Sequence, residues 1–536
     1  MMEKKIRGVE HELAMNTIPS LPHGSLIHLV GMAVEELKKR GLVTKIPVEH
    51  ETPVDQMALN GFRVYNDMSH LELSSPSYNS PLEAVIYDKV AEVFGYYAAR
   101  GLKGYFREVN AYKNNVSNLP TGETGAKAWR AVSYSTHSSI LMDRRVCNLD
   151  IWGTVEEALI PFMVARVPLI GGGDLVPTPK EGFPRPGKEM HGETLRFAIS
   201  PRAIFAKKLS SNDTVSARGL LNQRDDPHAN EKYWRLHDIN WEGLRSPFQV
   251  YLRDSLETLV MTAYERGYLK NPPKLADPLT AIKEISLDPE SCDWRVTLEG
   301  GERVDALTEI MEGYYLAGIE EMLEENESSE EDRMGFNLIK GTLQGLGERR
   351  LEYFIDGLDW VTKKALIDEY APGDIEEALG LCNQYTLLDE AVQGFIGEPV
   401  EPEQVQTTFD LEAGLEFAGD AIPIVDWGSL SGLVKDALTQ GPVGSREYLR
   451  GLVAREFPFM VERIEWERIT FPNAIIHLDE PFSFSKEACG DRLEEATTNL
   501  STFLHAVNQL SPKENKLTRT PTDDHELRDR EGGVNH

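Results

Sequence analysis

Alternation of apolar and polar positions marks residues 5–14 as a strand, with Val9 and Leu13 on one face and Gly8, Glu10 and Glu12 on the other. Residues 61–67 alternate in the same way, Phe62 and Val64 against Arg63, Tyr65 and Asp67. His70 and Glu72 continue that segment with the opposite parity. For them to share a face with Asp67, the chain must bulge or turn near Met68–Ser69. Helical spacing then takes over: Ser80 is the N-cap, Pro81 opens the helix and Glu83 completes a capping box, ahead of a stripe of Leu82, Val85, Ile86, Val93 and Phe94. Ser246-Pro247 starts another helix, running through Leu252, Leu256, Leu259 and Val260 to Gly267. Residues 303–324 form a third, followed by the acidic stretch ENESSEED, which reads as a solvated loop. The polar segment 397–408 places a boundary near or after it. A smaller unit follows from about residue 441, with a helix in SREYLRGLVAREF, a strand around RIEWERITF, another near AIIHLDE and a helix over 487–510. These elements predict an α+β chain in three parts: 1–440 as the large domain, 441–510 as a small C-terminal domain, and 511–536 as a disordered tail poor in core-forming residues.

Length and composition narrow the class. A chain of 536 residues exceeds one ordinary hydrophobic core. With 41% apolar and 27% charged residues it has the balance of a globular protein. The net charge of -31 argues against nucleic-acid partners, which require clustered Lys and Arg. No run reaches the roughly 18 apolar residues of a membrane span. The N-terminus lacks the apolar core of a signal peptide. The four cysteines are scattered without a C-x-x-C pair, which suits a reducing compartment and excludes a zinc ribbon. The expectation is a cytoplasmic enzyme.

Candidate chemistry centres on the polar faces of the first two strands. Glu10 and Glu12 lie two apart, about 7 Å by strand geometry, a spacing that suits oxygen ligands for one or two hard cations. A solvent-facing charged strand would look the same. Asp67, His70 and Glu72, beside Arg63 and Tyr65, make a concentration that is costly to bury without ions or partners. In NQRDDPHANEKYWRLH (222–237), Arg224, Arg235 and His237 could serve phosphate or metal, or form a salt-bridged loop. LIGGGD lacks the Gly-Lys-Ser/Thr of a phosphate loop and reads as a turn, and no G-x-S-x-G element supports a serine hydrolase.

In order along the chain, GVEHEL, NGFRVYNDMSHLELSSP, YKNN, SYSTH, FAISPRA, NQRDDPHANEKYWRLH, LDW, YLRGLVAREF and IEW resemble the motifs of the Pup ligase and Pup deamidase/depupylase family, relatives of glutamine synthetase. The resemblance implies a glutamine synthetase-like domain whose curved antiparallel sheet cradles ATP and Mg2+, completed by the small C-terminal domain. It implies magnesium at Glu10, Tyr65 and Glu72, with Glu12, His137 and His237 contributing to a second metal position. Arg63, Ser75 and Trp466 would contact ATP, Arg202 and Arg224 would neutralise phosphate, and Asp67 would be the catalytic aspartate. The implied reaction is ligation: a carboxylate is activated as an acyl phosphate and joined to an amine, with a small Pup-like protein modifier and protein lysine acceptors as partners.

Features of the two branches coexist. Asp67-Met-Ser-His70 has the depupylase spacing, whereas the 54 residues between Glu12 and Asp67 form a ligase-like interval. His137-Ser138-Ser139 stands where the family has H-E-N, which is expected to remove a carboxylate from the metal shell. Leu71 and Leu73 replace Pro and Tyr, and WEGLRSP (241–247) replaces a G-D-x-N-x-x-E stretch. Hydrolysis of an amide or isopeptide bond in an ATP-bound site, and non-catalytic binding of a nucleotide or modifier, stand as alternatives to ligation.

Overall fold

In the computed structural model, residues 4–52, 54–120, 129–178, 189–192, 194–389, 427–511 and 517–518 are described. The polar segment 397–408 lies outside them, as does nearly all of 511–536.

Ten strands form one large, mostly antiparallel sheet: β1 (Arg7–Ile18), β2 (Val43–Pro47), β3 (Asp55–Ala58), β4 (Arg63–Asp67), β5 (His70–Ser74), β6 (Glu108–Tyr112), β7 (Thr136–Asp143), β8 (Lys208–Ser211), β9 (Gly219–Asn222) and β10 (Tyr233–Asp238). Their order is β8-β9-β10-β7-β1-β5-β4-β3-β2, with β6 pairing the distal end of β1. Together with the helices packed on it, this makes the α+β class the sequence predicts. β1 starts two residues later than expected and runs on to Ile18. Its parity is as read: Val9, His11 and Leu13 are buried against the helices, while Gly8 and Glu10 line the opposite face.

The parity change after Asp67 is resolved by a two-residue hairpin. Met68 (φ 46°) and Ser69 (φ 73°) both take left-handed backbone. That geometry matches the twist of a tight antiparallel hairpin, although neither residue is a glycine. The register pairs Asp67 with His70, Tyr65 with Glu72 and Arg63 with Ser74.

Helices α1 (Leu26–Lys39), α2 (Pro81–Leu102) and α3 (Pro247–Glu265) cover the apolar side of the sheet. Ser80 caps α2 by accepting from the Glu83 N–H at 3.3 Å. The expected box is shifted by one residue, because the Glu83 carboxylate accepts from Asn79 N–H (3.0 Å) instead of Ser80. Ser246 caps α3 through Gln249 N–H, and Gly267 (φ 76°) follows its end. The core contains ion pairs. Arg7 of β1 meets Asp254 of α3 through Nε–Oδ1 (3.1 Å) and a second nitrogen at 2.7 Å, and Tyr78 donates to the same carboxylate at 3.1 Å. Nearby, Lys113 bridges Asp88 and Glu92, and Lys89 also pairs with Glu92.

The third helix begins at Ala306 rather than 303, since Arg303–Asp305 pairs as a strand with Arg295–Thr297 and Asp305 caps the helix. The LIGGGD segment is the expected turn. Gly173 (φ 64°) leaves a Cβ only 2.6 Å from Trp360 Cα, while Lys363 donates to the carbonyls of Gly172 and Gly173 at 2.7 Å each. Gly173→Ala combines left-handed strain with a backbone clash. It is expected to lower unfolding free energy by about 2 kcal/mol, read from the urea midpoint; an unchanged midpoint would refute the packing argument.

The C-terminal residues build a second core around α4 (Glu447–Glu456), the strands β11 (Arg463–Ile464), β12 (Arg468–Phe471) and β13 (Ala474–His477), and α5 (Leu500–Leu510). Ile46, Val48 and Met57, from the edge of the large sheet, belong to that same core. The expected strand over 463–471 is broken by a tight turn closed by Glu465 N–H to Arg468 O (2.9 Å). The expected helix over 487–510 is three pieces. Gly490 (φ 57°) ends the first, and Asn499, extended and capping through Thr502 N–H, starts the last. All four cysteines are free and buried. Among the described residues, no helix is long and apolar enough to cross a membrane.

Candidate functional site

Antiparallel register turns separate segments into one lateral row. Glu12 pairs with Glu72 and Glu10 with Ser74 across β1 and β5. Glu10 also pairs with His137 across β7, and His237 sits opposite Ser139 on β10. Residues two apart on each strand then face the same cavity, of about 350 Å³. Arg63, Tyr65, Asp67, Glu72, Ser75, Glu10, His137 and His237 all line it. Arg224 and Arg235 enter from the β9–β10 side, and Arg446 and Trp466 from the C-terminal unit.

Two clusters of ligand-type atoms result. Glu10, His137 and His237 place one atom each within 4.8 Å of one another, and so do Glu12, Asp67 and Glu72. Glu10 Oε2 lies 3.3 Å from His137 Nδ1 and 3.5 Å from His237 Nε2. Burial opposes the charge on Glu10, yet His237 and His137 hold its carboxyl well below the usual range. Glu12 is likewise lowered against burial, by His137 and Arg202, and it accepts the Ser135 N–H at 2.6 Å. Glu72 goes the other way: burial and then the charges of Glu10, Glu12 and Asp67 push it well above its ordinary value. Burial and Glu12 also raise Asp67, which is only partly buried. Both ring nitrogens of His237 and the Oε2 of Glu72 are buried without a hydrogen-bond partner. Buried polar atoms of that kind call for an ion or water.

Several expected residues do something more specific than their assigned role. Tyr65 donates its hydroxyl to Glu72 Oε1 and carries the Arg63 guanidinium over its ring at 3.9 Å. Arg63 is bound to Asp55 by two hydrogen bonds (2.9 and 3.1 Å) and paired with Glu49 at 3.0 Å. Ser75 Oγ accepts the Val9 N–H at 2.9 Å, joining β1 to the end of β5. Arg224 is more than half exposed and points to Asp226. Trp466 occupies the turn that breaks the expected strand, with Arg450 stacked on it at 4.3 Å.

Arg202 is the clearest departure from phosphate contact. It is 1% exposed and does not line the cavity. Its Nε donates to Ile239 O (2.8 Å), one terminal nitrogen to Ser133 Oγ (3.0 Å) and the other meets His137 Nε2 at 2.9 Å. A guanidinium can only donate, so His137 carries its proton on Nδ1, facing Glu10. His137 therefore supports Glu10 and has no free lone pair in this arrangement. The sequence pattern missed Glu242, which holds the Arg202 turn. Burial pushes its carboxyl up to about 7, and it accepts from Ser200 Oγ (2.7 Å), Arg202 N–H (2.9 Å) and Gly172 N–H. It also missed Arg446, for which no local pattern signals a cavity position. The change at His137-Ser138-Ser139 removes less than expected. Ser138 turns away from the cavity to Glu257 (3.1 Å), so a carboxylate there would point into the core.

The family model described as Pup-ligase protein matches residues 28–384. A depupylase of Acidothermus cellulolyticus is 28% identical over 420 residues, covering 77% of this chain and 74% of that protein. A Pup deamidase/depupylase of Mycolicibacterium smegmatis is 27% identical, covering 84% and 82%. A Pup–protein ligase of Kineococcus radiotolerans is 28% identical, covering 58% and 64%. The solved complex of the prokaryotic ubiquitin-like protein Pup with its ligase PafA superposes with a TM-score of 0.66 at 20% identity, covering 99% of this chain and 98% of that one. The ligase PafA with ADP superposes at 0.60, also at 20% identity, covering 85% and 89%.

Proposed function

Because the chain belongs to the Pup-ligase protein family, we propose that it is an ATP-dependent carboxylate–amine ligase joining the carboxylate of a small Pup-like modifier to a lysine of a protein acceptor. The observation that carries this reading is the row of Glu10, Asp67 and Glu72 on adjacent strands, facing a cavity bordered by arginines and Trp466, with Glu12 clustered beside Asp67 and Glu72. Such a site suits a polyphosphate and a divalent cation together.

The residues fit the cation. Glu12, Asp67 and Glu72 make an all-oxygen group of the type Mg2+ favours, and the orphaned atoms of Glu72 and His237 face the same space. Glu12 and Glu72 would hold it beside Glu10 and His237, with Tyr65 and His137 orienting the carboxylates. When bound, the cation would neutralise charge on the phosphoryl oxygens during transfer.

The reaction needs a better leaving group than the oxygen of a free carboxylate. Transfer of the γ-phosphoryl group of ATP to the modifier carboxylate supplies one, as an acyl phosphate, with ADP leaving. Asp67, at the turn end of the hairpin, would take the proton of the attacking lysine amine. The new C–N bond forms as the C–O bond breaks, and phosphate leaves with the electron pair. Trp466, Arg63 and Ser75 would border the base and ribose, and Arg224 the phosphates. A second reading, isopeptide hydrolysis in the same site, is favoured by the long coverage of relatives named as depupylases.

The test combines the full chain with ATP, Mg2+, a modifier ending in Gly-Gly-Glu and a lysine-bearing acceptor. The expected result is one ADP and one phosphate for each new amide bond. Cleavage of a preformed conjugate without nucleotide turnover would replace ligation by the second reading. Nucleotide binding with neither reaction would make the chain a binding protein.

A further inference from the structure

We infer that Arg235, rather than Arg202, joins Arg224 in recognising the polyphosphate of the nucleotide; this rests on the nucleotide reading above. The two arginines differ in what their donors already hold. All three parts of the Arg202 fork are engaged, with Ile239 O, Ser133 and His137, behind the cluster and out of the cavity. Arg235 lines the cavity, yet its side chain is only 12% exposed. Its nearest charges are Glu10 at 3.8 Å and Asp226 at 3.9 Å, both beyond hydrogen-bond length, and its Nε is buried with no partner. A shielded guanidinium whose Nε has no partner, and whose carboxylate neighbours lie beyond hydrogen-bond length, keeps donors that an anion can take up.

Strand geometry fixes where that anion would sit. Trp234 and Leu236 are buried on the helix side of β10, so Arg235 and His237 project together onto the cavity face. Arg235 lies 3.8 Å from Glu10, a member of the Glu10–His137–His237 cluster. Its planar fork can engage two phosphate oxygens at once, which an ammonium cannot.

The test is calorimetric titration of ATP and of adenosine, with Mg2+, into the full chain and into Arg235→Met and Arg235→Lys. The unmodified chain is expected to bind ATP more tightly than adenosine. Arg235→Met should weaken ATP by at least about tenfold and leave adenosine unchanged, with Arg235→Lys between, because charge returns without the fork. ATP affinity within about twofold of the parent in Arg235→Met would overturn the assignment and point to the modifier carboxylate as the partner of Arg235. A parallel loss of ATP and adenosine would overturn it too, since a structural role would produce that. Failure of the unmodified chain to bind ATP would instead remove the nucleotide reading itself.

Discussion

Asp67→Asn is expected to lower turnover by about a hundred- to ten-thousandfold while leaving nucleotide affinity within about twofold. Asparagine keeps the size and hydrogen-bonding reach of the side chain and loses the ability to accept the amine proton. Asp67 lines the cavity at the end of β4, next to the Met68–Ser69 turn, and is the least buried member of its carboxylate cluster. The measurement is ADP release coupled to conjugate formation, with ATP titration on the same preparation. Retention of more than a tenth of the activity would remove Asp67 from the role of base. Loss of ATP binding in parallel would make it a nucleotide or cation ligand instead.

The largest expected effect on stability lies in the core, at Asp254→Ala. That change leaves Arg7 fully buried with its counter-charge and its partner hydrogen bonds gone, and it strips Tyr78 of an acceptor. Removing one member of a buried pair destabilises by about 3–5 kcal/mol. The urea midpoint should fall accordingly. Replacing both charges together, as Arg7→Met with Asp254→Leu, should recover most of the loss, since no uncompensated charge remains. A change below about 1 kcal/mol for Asp254→Ala would show that water reaches the pair. The pair joins the first residue of β1 to α3, so its loss would be felt at Glu10, three residues along.

Local pattern carried the sequence reading where one residue type had one use. Val9 and Leu13 against Glu10 and Glu12 revealed β1, and the parity break at His70 revealed the hairpin. Serines before prolines marked both long helices. Local pattern is silent where the deciding partner lies far along the chain. The resemblance implies a ligand at His137, and nothing near it in sequence shows that Arg202, 65 positions on, meets its second nitrogen. Ser138 looked like a lost ligand because strand parity was not applied to β7. In sequence Arg235 stands with Arg224 and His237 as a candidate for phosphate or metal, and only the sheet sets its neighbours at 3.8 and 3.9 Å. The breaks at Gly490 and Asn499 interrupt a segment apolar enough to read as one helix.

The shared core at the edge of the sheet limits how this protein can be dissected. Ile46, Val48 and Met57 sit among the side chains of α4 and α5, and Arg463 reaches back to the Glu49 carbonyl at 3.1 Å. A chain cut after residue 440 would expose an apolar slot along the outermost strand, an invitation to aggregate. The severed C-terminal piece would lack part of its own interior. Truncation would therefore report damaged folding and could not separate a nucleotide contribution from a catalytic one. Single substitutions at the surface of the interface, such as at Trp466, keep the seam closed and are the means to assign its role.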